Sequence, residues 1–208
     1  MNRDSIHKEE YKGFTIKILL DDVNDSPRDW DNAGKMVCWH SRYNLGDEQP
    51  KESPNEYMAH ITEKNFIILP VYIYDHSGIT ISTSYKHPYN DRWDAGQVGW
   101  IYISKKDAVK EWGKKIFTKN VEKRATEYLR GEVKTYDDYL RGNVYGYQVC
   151  DEDEVIDSVW GFYPEGEEYP SYGYCLKEAK ESADWYAKEK ENKVYEKAQA
   201  LELAEFAE

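Results

Sequence analysis

From Phe14 to Leu20 apolar and polar positions alternate with the period of a half-buried strand, the first element the chain predicts. Asp21 to Asn32 follows as a polar connection containing Pro27. Met36 to His40 predicts a short strand, with Val37 and Trp39 toward a core and Cys38 and His40 on the other face. Glu48 to Asn55 reads as an exposed loop. The runs Ile67 to Tyr74 and Ile79 to Ser84 flank Asp75-His76-Ser77-Gly78, so they predict a β-hairpin. Ile79 and Ile81 fall on one side of its second arm and Thr80, Ser82 and Ser84 on the other, which gives one buried and one wet face.

Gln97 to Ile103 predicts a further strand running into Ser104, where a Ser followed three residues later by Asp107 can satisfy the free amides of a helix start. That helix carries Ala108, Val109, Trp112 and Ile116 on one side. A second helical segment carries Val121, Ala125, Tyr128 and Leu129 and is expected to stop at Gly131, with Thr135 to Asp138 capping a short third turn. Val144 to Cys150 and Val155 to Phe162 predict a second hairpin in which Ile156, Ser158, Trp160 and Phe162 share a face.

From Cys175 to Phe206 neither Pro nor Gly interrupts a stripe of Leu176, Ala179, Ala183, Tyr186, Ala187, Val194, Ala198 and Leu201. This is one helix of about 48 Å. Its overhang is either a frayed tail or a homodimer contact through Val194, Ala198 and Leu201. The expected fold is therefore α+β: an antiparallel sheet built from hairpins, packed helices and one long C-terminal helix. Residues 1–174 are expected to form a single domain, with 175–208 as the helix packed on it or extending from it.

Composition narrows the function. A net charge of −12 argues against direct nucleic-acid binding, because phosphate binders carry the opposite balance. The charge is uneven. Asp151, Glu152, Asp153, Glu154, Asp157, Glu165, Glu167 and Glu168 follow one another with no basic residue between, whereas residues 104–141 hold eleven Lys or Arg against seven Asp or Glu. The acidic run is either a solvated turn or a patch offered to a positively charged groove. Nineteen Tyr and seven Trp supply side chains suited to a recognition surface or to the two faces of a sheet. Three cysteines form no even framework and are expected to be reduced. The polar start of the chain and the absence of a long apolar run predict a cytoplasmic protein without a membrane partner.

Candidate chemistry is sparse. Cys38 and His40, two apart on a strand, could share a metal with His60, His76 or His87, but a second close pair of ligands is missing. No metal or cofactor is expected. Cys38 with a histidine and Asp75 beside His76 is the alternative of a nucleophilic hydrolase. A third reading is nucleotide binding, with Tyr and Trp rings for stacking and Arg28, Arg42 or Arg92 for phosphate. The residues proposed for an interface are polar and aromatic groups in expected loops: Arg28, Trp30 and Asp31; Arg42, Tyr43 and Asp47; and Asp151, Glu152, Asp153 and Glu154 at the second hairpin's tip.

The segment from Ser26-Pro27-Arg28-Asp29-Trp30-Asp31-Asn32-Ala33-Gly34 through Met36-Val37-Cys38-Trp39-His40 to Arg42-Tyr43-Asn44-Leu45-Gly46-Asp47 resembles one found in small uncharacterised phage and prophage proteins. Tyr74-Asp75-His76-Ser77-Gly78-Ile79 and Trp93-Asp94-Ala95-Gly96-Gln97-Val98-Gly99-Trp100 resemble further pieces of the same group. The resemblance implies a non-structural product acting inside an infected bacterium. By analogy with acidic phage proteins of this size, it implies an inhibitor of host defence, of anti-CRISPR or anti-restriction type, that binds a bacterial defence protein or ribonucleoprotein stoichiometrically. It carries no catalytic residue with it.

Overall fold

In the computed structural model, residues 5–22, 25–76, 78–84, 95–165 and 171–205 are described, the last five as backbone. Ser77, His87, Arg92, Trp93, Asp94, Glu167, Glu168, Phe206 and the side chain of Leu201 lie outside the described residues. The first elements in chain order are β1 (His7–Tyr11), β2 (Phe14–Leu20), a 3-10 turn (Pro27–Asp29), β3 (Lys35–Cys38), α1 (Pro54–Met58), β4 (Phe66–Asp75) and β5 (Ile79–Ser82). There follow β6 (Ala95–Ser104), α2 (Lys105–Glu111), α3 (Lys119–Leu140), β7 (Tyr145–Asp151), β8 (Glu154–Phe162) and α4 (Gly173–Glu205). The fold is α+β, and the described residues form two four-stranded antiparallel sheets. Among the described residues no helix is long and apolar enough to cross a membrane. Contacts cluster into two compact units, residues 1–24 with 142–208 and residues 25–141. Residues 1–174, expected as one domain, divide between these units, and α4 packs on the strands of the first.

In the first unit the strand order is β1-β2-β7-β8. A Lys12-Gly13 turn with φ of 50° and 84° joins β1 to β2, the mirror-image turn whose twist matches a hairpin. β1 was not anticipated, because its sequence His-Lys-Glu-Glu-Tyr carries almost no apolar alternation. Phe14, Ile16 and Ile18 alternate inward as predicted and meet Tyr145, Tyr147, Val149 and the α4 residues Cys175, Ala179 and Ala183. Small residues at those helix positions let α4 lie close to the sheet. Ion pairs hold its flanks: Lys180 with Glu9 at 2.9 Å, Asp184 with Lys12 at 2.8 Å and Lys190 with Asp151 at 2.8 Å. Beyond Lys190 the helix overhangs, and Val194 and Tyr195 are each 66% exposed.

The second hairpin forms, but its two faces are not those the alternation predicts. Register shifts between Tyr145 and Gly146 and between Val149 and Cys150 break the phase. Ile156 and Phe162 pack on the core, whereas Trp160 lies over Gly146, where a Cβ would overlap its ring, on the opposite side from Tyr145 and Tyr147.

In the second unit the order is β3-β6-β4-β5. One sheet face, with Met36, Cys38, Ile67, Val71, Ile73, Ile81, Ile101 and Ile103, packs on Val121, Ala125, Leu129, Val133 and Tyr136 of α3. Ile79 and Ile81 point to this core as expected. The expected facing of β3 holds in part: Val37 is fully buried, but the face of Cys38 is buried as well. Met36 and Cys38 join the α3 core, while Trp39 stands edge-on to Tyr57 and Trp100 at ring distances of 5.6 and 5.7 Å.

Two helix boundaries also differ. Ser104 caps α2 as predicted, but the helix ends before Gly113, at φ 58°, and Ile116 is exposed. α3 does not stop at Gly131. The buried stripe continues in phase through Val133 and Tyr136, so packing against the sheet carries the helix across the glycine. Thr135 is then mid-helix rather than a cap, and Asp137 instead accepts a hydrogen bond from the Ile81 amide at 2.8 Å.

Burial raises the Asp137 pKa above its ordinary 3.8, and the Ile81 amide and Arg141 only partly offset this. Folding therefore favours its protonated form. The resulting penalty is absent below about pH 3.8 and is fully felt above the folded-state pKa. Asp137→Asn keeps an acceptor for Ile81 and removes the charge. It is expected to be at least as stable as the parent at pH 7, with the difference shrinking toward pH 3, as read by urea unfolding at both pH values.

Candidate binding surfaces

The segment that carries the family resemblance folds around Arg28. Ser26 caps the 3-10 turn by accepting from the Arg28 amide, which turns the guanidinium inward, where its side chain is 3% exposed. Nε and one terminal nitrogen donate to Asp47 at 2.6 and 2.8 Å. That same terminal nitrogen donates to the Gly34 carbonyl at 2.7 Å, and the other donates to Glu132 at 2.9 Å. Glu132, on α3, accepts in turn from the amides of Ala33 and Gly34, each at 3.0 Å, and Asp47 accepts from the Met36 amide at 2.7 Å. Burial alone would disfavour the Arg28 charge. The two carboxylates outweigh it and hold the pKa above its ordinary value.

Glycines let this arrangement close. A Cβ on Gly34 would overlap Leu129, and one on Gly46, at φ 73°, would lie 2.8 Å from the Met36 carbonyl oxygen. Arg28 and Asp47, selected from the sequence as interface residues, are thus partners in a closed polar clamp. Glu132 had no sequence signal, because it lies 104 residues from Arg28 on a helix face that reads as solvated.

The clamp fixes what lies outside it. Trp30 is 50% exposed and Asp31 is exposed. Pro27 and Trp30 form one side of a groove of about 460 Å³ whose other side is α3, through Arg124, Tyr128 and Gly131. Tyr128, assigned from the sequence to the buried stripe, is 46% exposed and stands edge-on to Trp112 at 5.8 Å. The Arg124 guanidinium lies 6.0 Å from the Trp112 ring centre.

Arg42 and Tyr43 sit elsewhere in this unit. Arg42 pairs with Asp75 and lies 5.6 Å from the Tyr43 ring, which stacks on His40 at 5.1 Å. His40 Nδ1 accepts from the Tyr43 amide at 3.2 Å, and His76 stacks on Tyr74 at 6.0 Å. Asp75 is therefore committed to Arg42. Burial, with the Asp47 charge adding to it, pushes the Cys38 thiol up to about 12, and burial does the same to Cys175. Neither is a thiolate nucleophile at neutral pH. Among the described residues no three His, Cys, Asp or Glu side chains are grouped to hold a metal ion.

In the other unit Asp151, Glu152, Asp153 and Glu154 form the tip of the β7–β8 hairpin. Asp151 is held by Lys190, and Glu152, at φ 54°, Asp153 and Glu154 are exposed. β8 is an edge strand, and Val155, Val159 and Trp160 are exposed along it. No protein-family model matches the chain, and no match to it was found among curated proteins or solved structures.

Proposed function

We propose that the protein is a non-enzymatic binding protein that presents the β8 edge and its acidic tip to a basic, extended segment of a protein partner. The observation that carries this reading is the chemistry of the edge. Edge strands are commonly blunted by Lys, Pro or bulges; β8 has neither Lys nor Pro, and two register shifts interrupt it. Its register shifts leave a regularly paired stretch from Asp157 to Trp160, roughly 13 Å long at 3.3 Å per residue. The exposed valines and Trp160 supply apolar contact, and Glu152, Asp153 and Glu154 supply a negative field at one end. That combination suits strand addition by a segment carrying Lys or Arg, with main-chain bonds giving affinity and charge giving register and on-rate.

The resemblance to phage proteins supports a setting for this activity: the cytoplasm of an infected bacterium, with a defence protein or ribonucleoprotein as the partner. A net charge of −12 favours a basic partner surface, including one that otherwise receives nucleic acid. The test is capture of partners from nuclease-treated bacterial lysate by the tagged protein and by a variant carrying Glu152→Lys, Asp153→Lys and Glu154→Lys. A stoichiometric defence component is expected with the parent and at least ten-fold less of it with the variant. Equal capture in moderate salt would remove the tip from the interface. An eluate without protein would overturn the reading.

A further inference from the structure

The face by which α4 is buried does not end where its sheet ends. Cys175, Ala179 and Ala183 share the core with Phe14, Ile16 and Ile18 of β2. A step of about 11 residues is close to three helical turns, so Val194 continues the face of Ala183, and Ala198 that of Ala187. Beside the Lys12-Gly13 turn that face leaves the sheet. There Phe14, Ala187, Val194 and Ala198 line a groove of about 520 Å³, rimmed by Lys12, Lys190 and Glu191. Both lysines are already paired, with Asp184 and Asp151. Every residue from Glu191 to Ala200 is exposed. From Glu191 to Glu205 the helix runs on for about 15 residues, roughly 22 Å, a length at which a helix without tertiary support is marginal in water.

We propose that this face is covered by the C-terminal helix of a second copy, laid antiparallel, so that two α4 overhangs form a homodimer. The apolar period suits such a seam. Ala187, Val194 and, in the sequence, Leu201 follow one another at the heptad spacing by which helices pair. Charge sets the direction. Residues 199–208 hold Glu202, Glu205 and Glu208 and no Lys or Arg, whereas 188–197 hold Lys188, Lys190, Lys193 and Lys197 with Glu189, Glu191 and Glu196. A parallel pair would set the three terminal glutamates against their own copies. An antiparallel pair sets them against the half that carries the lysines, of which Lys188, Lys193 and Lys197 are exposed. Full overlap of the overhangs places the two-fold axis near Ala198, where a small side chain lets the backbones approach. A seam one helix wide and about 22 Å long is small beside a standard interface, which puts the expected affinity in the micromolar range. This inference does not rest on the β8 edge or on the partner proposed for it.

The test is sedimentation equilibrium of the full-length protein, and a monomer–dimer equilibrium in the micromolar range is expected. Val194→Lys should weaken association at least ten-fold, while its melting temperature, taken at dilution where the parent is monomeric, stays at the parent's value. Asn192→Lys adds the same charge to the opposite side of the helix and should leave association unchanged. The native cysteines are buried, so mild oxidation reports an introduced thiol. Ala198→Cys should give a cross-linked dimer, and Glu191→Cys, whose two copies lie about 21 Å apart along antiparallel helices, should not.

A protein that stays monomeric to millimolar concentration overturns the proposal, as does equal weakening by Val194→Lys and Asn192→Lys. Equal cross-linking of the two cysteine variants would make the pair parallel and overturn the argument from charge. If the parent is monomeric and Val194→Lys instead abolishes capture of another protein, the face belongs to that protein and the second-copy assignment fails.

Discussion

Arg28→Leu is expected to cost about 3–5 kcal/mol of stability, because it leaves the buried Glu132 carboxylate, with the partly exposed Asp47 beside it, without its cation. Asp47 and Glu132 converge on the guanidinium from opposite sides, and the Glu132 side chain is almost wholly buried. Removing the positive charge leaves the buried Glu132 carboxylate facing Asp47 without a counter-ion. Arg28→Lys should lie between parent and leucine variant. An ammonium restores charge, but it cannot reproduce the planar fork that reaches Asp47, Glu132 and the Gly34 carbonyl together.

A double variant, Arg28→Leu with Glu132→Gln, tests the mechanism. It should recover part of the loss, because the amide keeps an acceptor oxygen for the Ala33 and Gly34 amides while shedding the uncompensated charge. Urea unfolding of the three variants at pH 7 measures all of these differences. No recovery in the double variant would mean that geometry, not charge, is what Arg28 supplies. A loss under about 1 kcal/mol would mean the clamp is solvated in solution.

The sequence was legible where one period and one burial pattern coincide. β2, the β4–β5 hairpin, the Ser104 cap and the long α4 all follow from local alternation, turn chemistry or an uninterrupted stripe. It was less legible where a distant contact decides. Arg28 and Asp47 look like loop charges available to a partner until Glu132 arrives from α3 and closes the site. In β3 the burial of Val37 followed the expectation, but Cys38 was misplaced because α3 covers the side to which it points.

Phase was lost in β8 because two register shifts reset the alternation, and a shift of one residue leaves little trace in composition. Gly131 was read as a helix stop because glycine usually marks one; packing of Val133 and Tyr136 outweighed that preference. Of the residues nominated for binding, Trp30, Asp31, Asp47, Glu152, Asp153 and Glu154 are exposed, although the Asp47 carboxylate is turned to Arg28. Asp151 and Arg42 are held in ion pairs, and Tyr43 is half-buried beneath Arg42 and His40. Surface loops and turn tips were thus readable as such, while the closure of the 26–47 loop on itself was not.

Gly99→Ala is expected to be as damaging as loss of the clamp, for a reason of backbone contact alone. Gly99 pairs with Cys38 where β6 meets β3, and a Cβ there would overlap the Val37 carbonyl oxygen and lie 2.9 Å from the Cys38 Cα. Neither atom belongs to a side chain that could swing aside. The methyl group can be admitted only by moving β3 away from β6, and β3 is a four-residue edge strand with little pairing to resist the displacement. Moving it also withdraws Met36 and Cys38 from the core and pulls on the Met36 amide that Asp47 accepts. A cost of about 3 kcal/mol or more follows from overpacking that side-chain rotation cannot relieve. Gly96→Ala, three residues earlier on the same strand, is the control. Its Cβ meets open space, so stability should change by less than about 0.5–1 kcal/mol, and in the stabilising direction, since alanine gives the unfolded chain less freedom to lose. Equal effects of the two substitutions in urea unfolding would show that β3 does not approach β6 at Gly99 in solution. A large gap between them would place the 26–47 loop, with the clamp and Trp30 it carries, firmly on that contact.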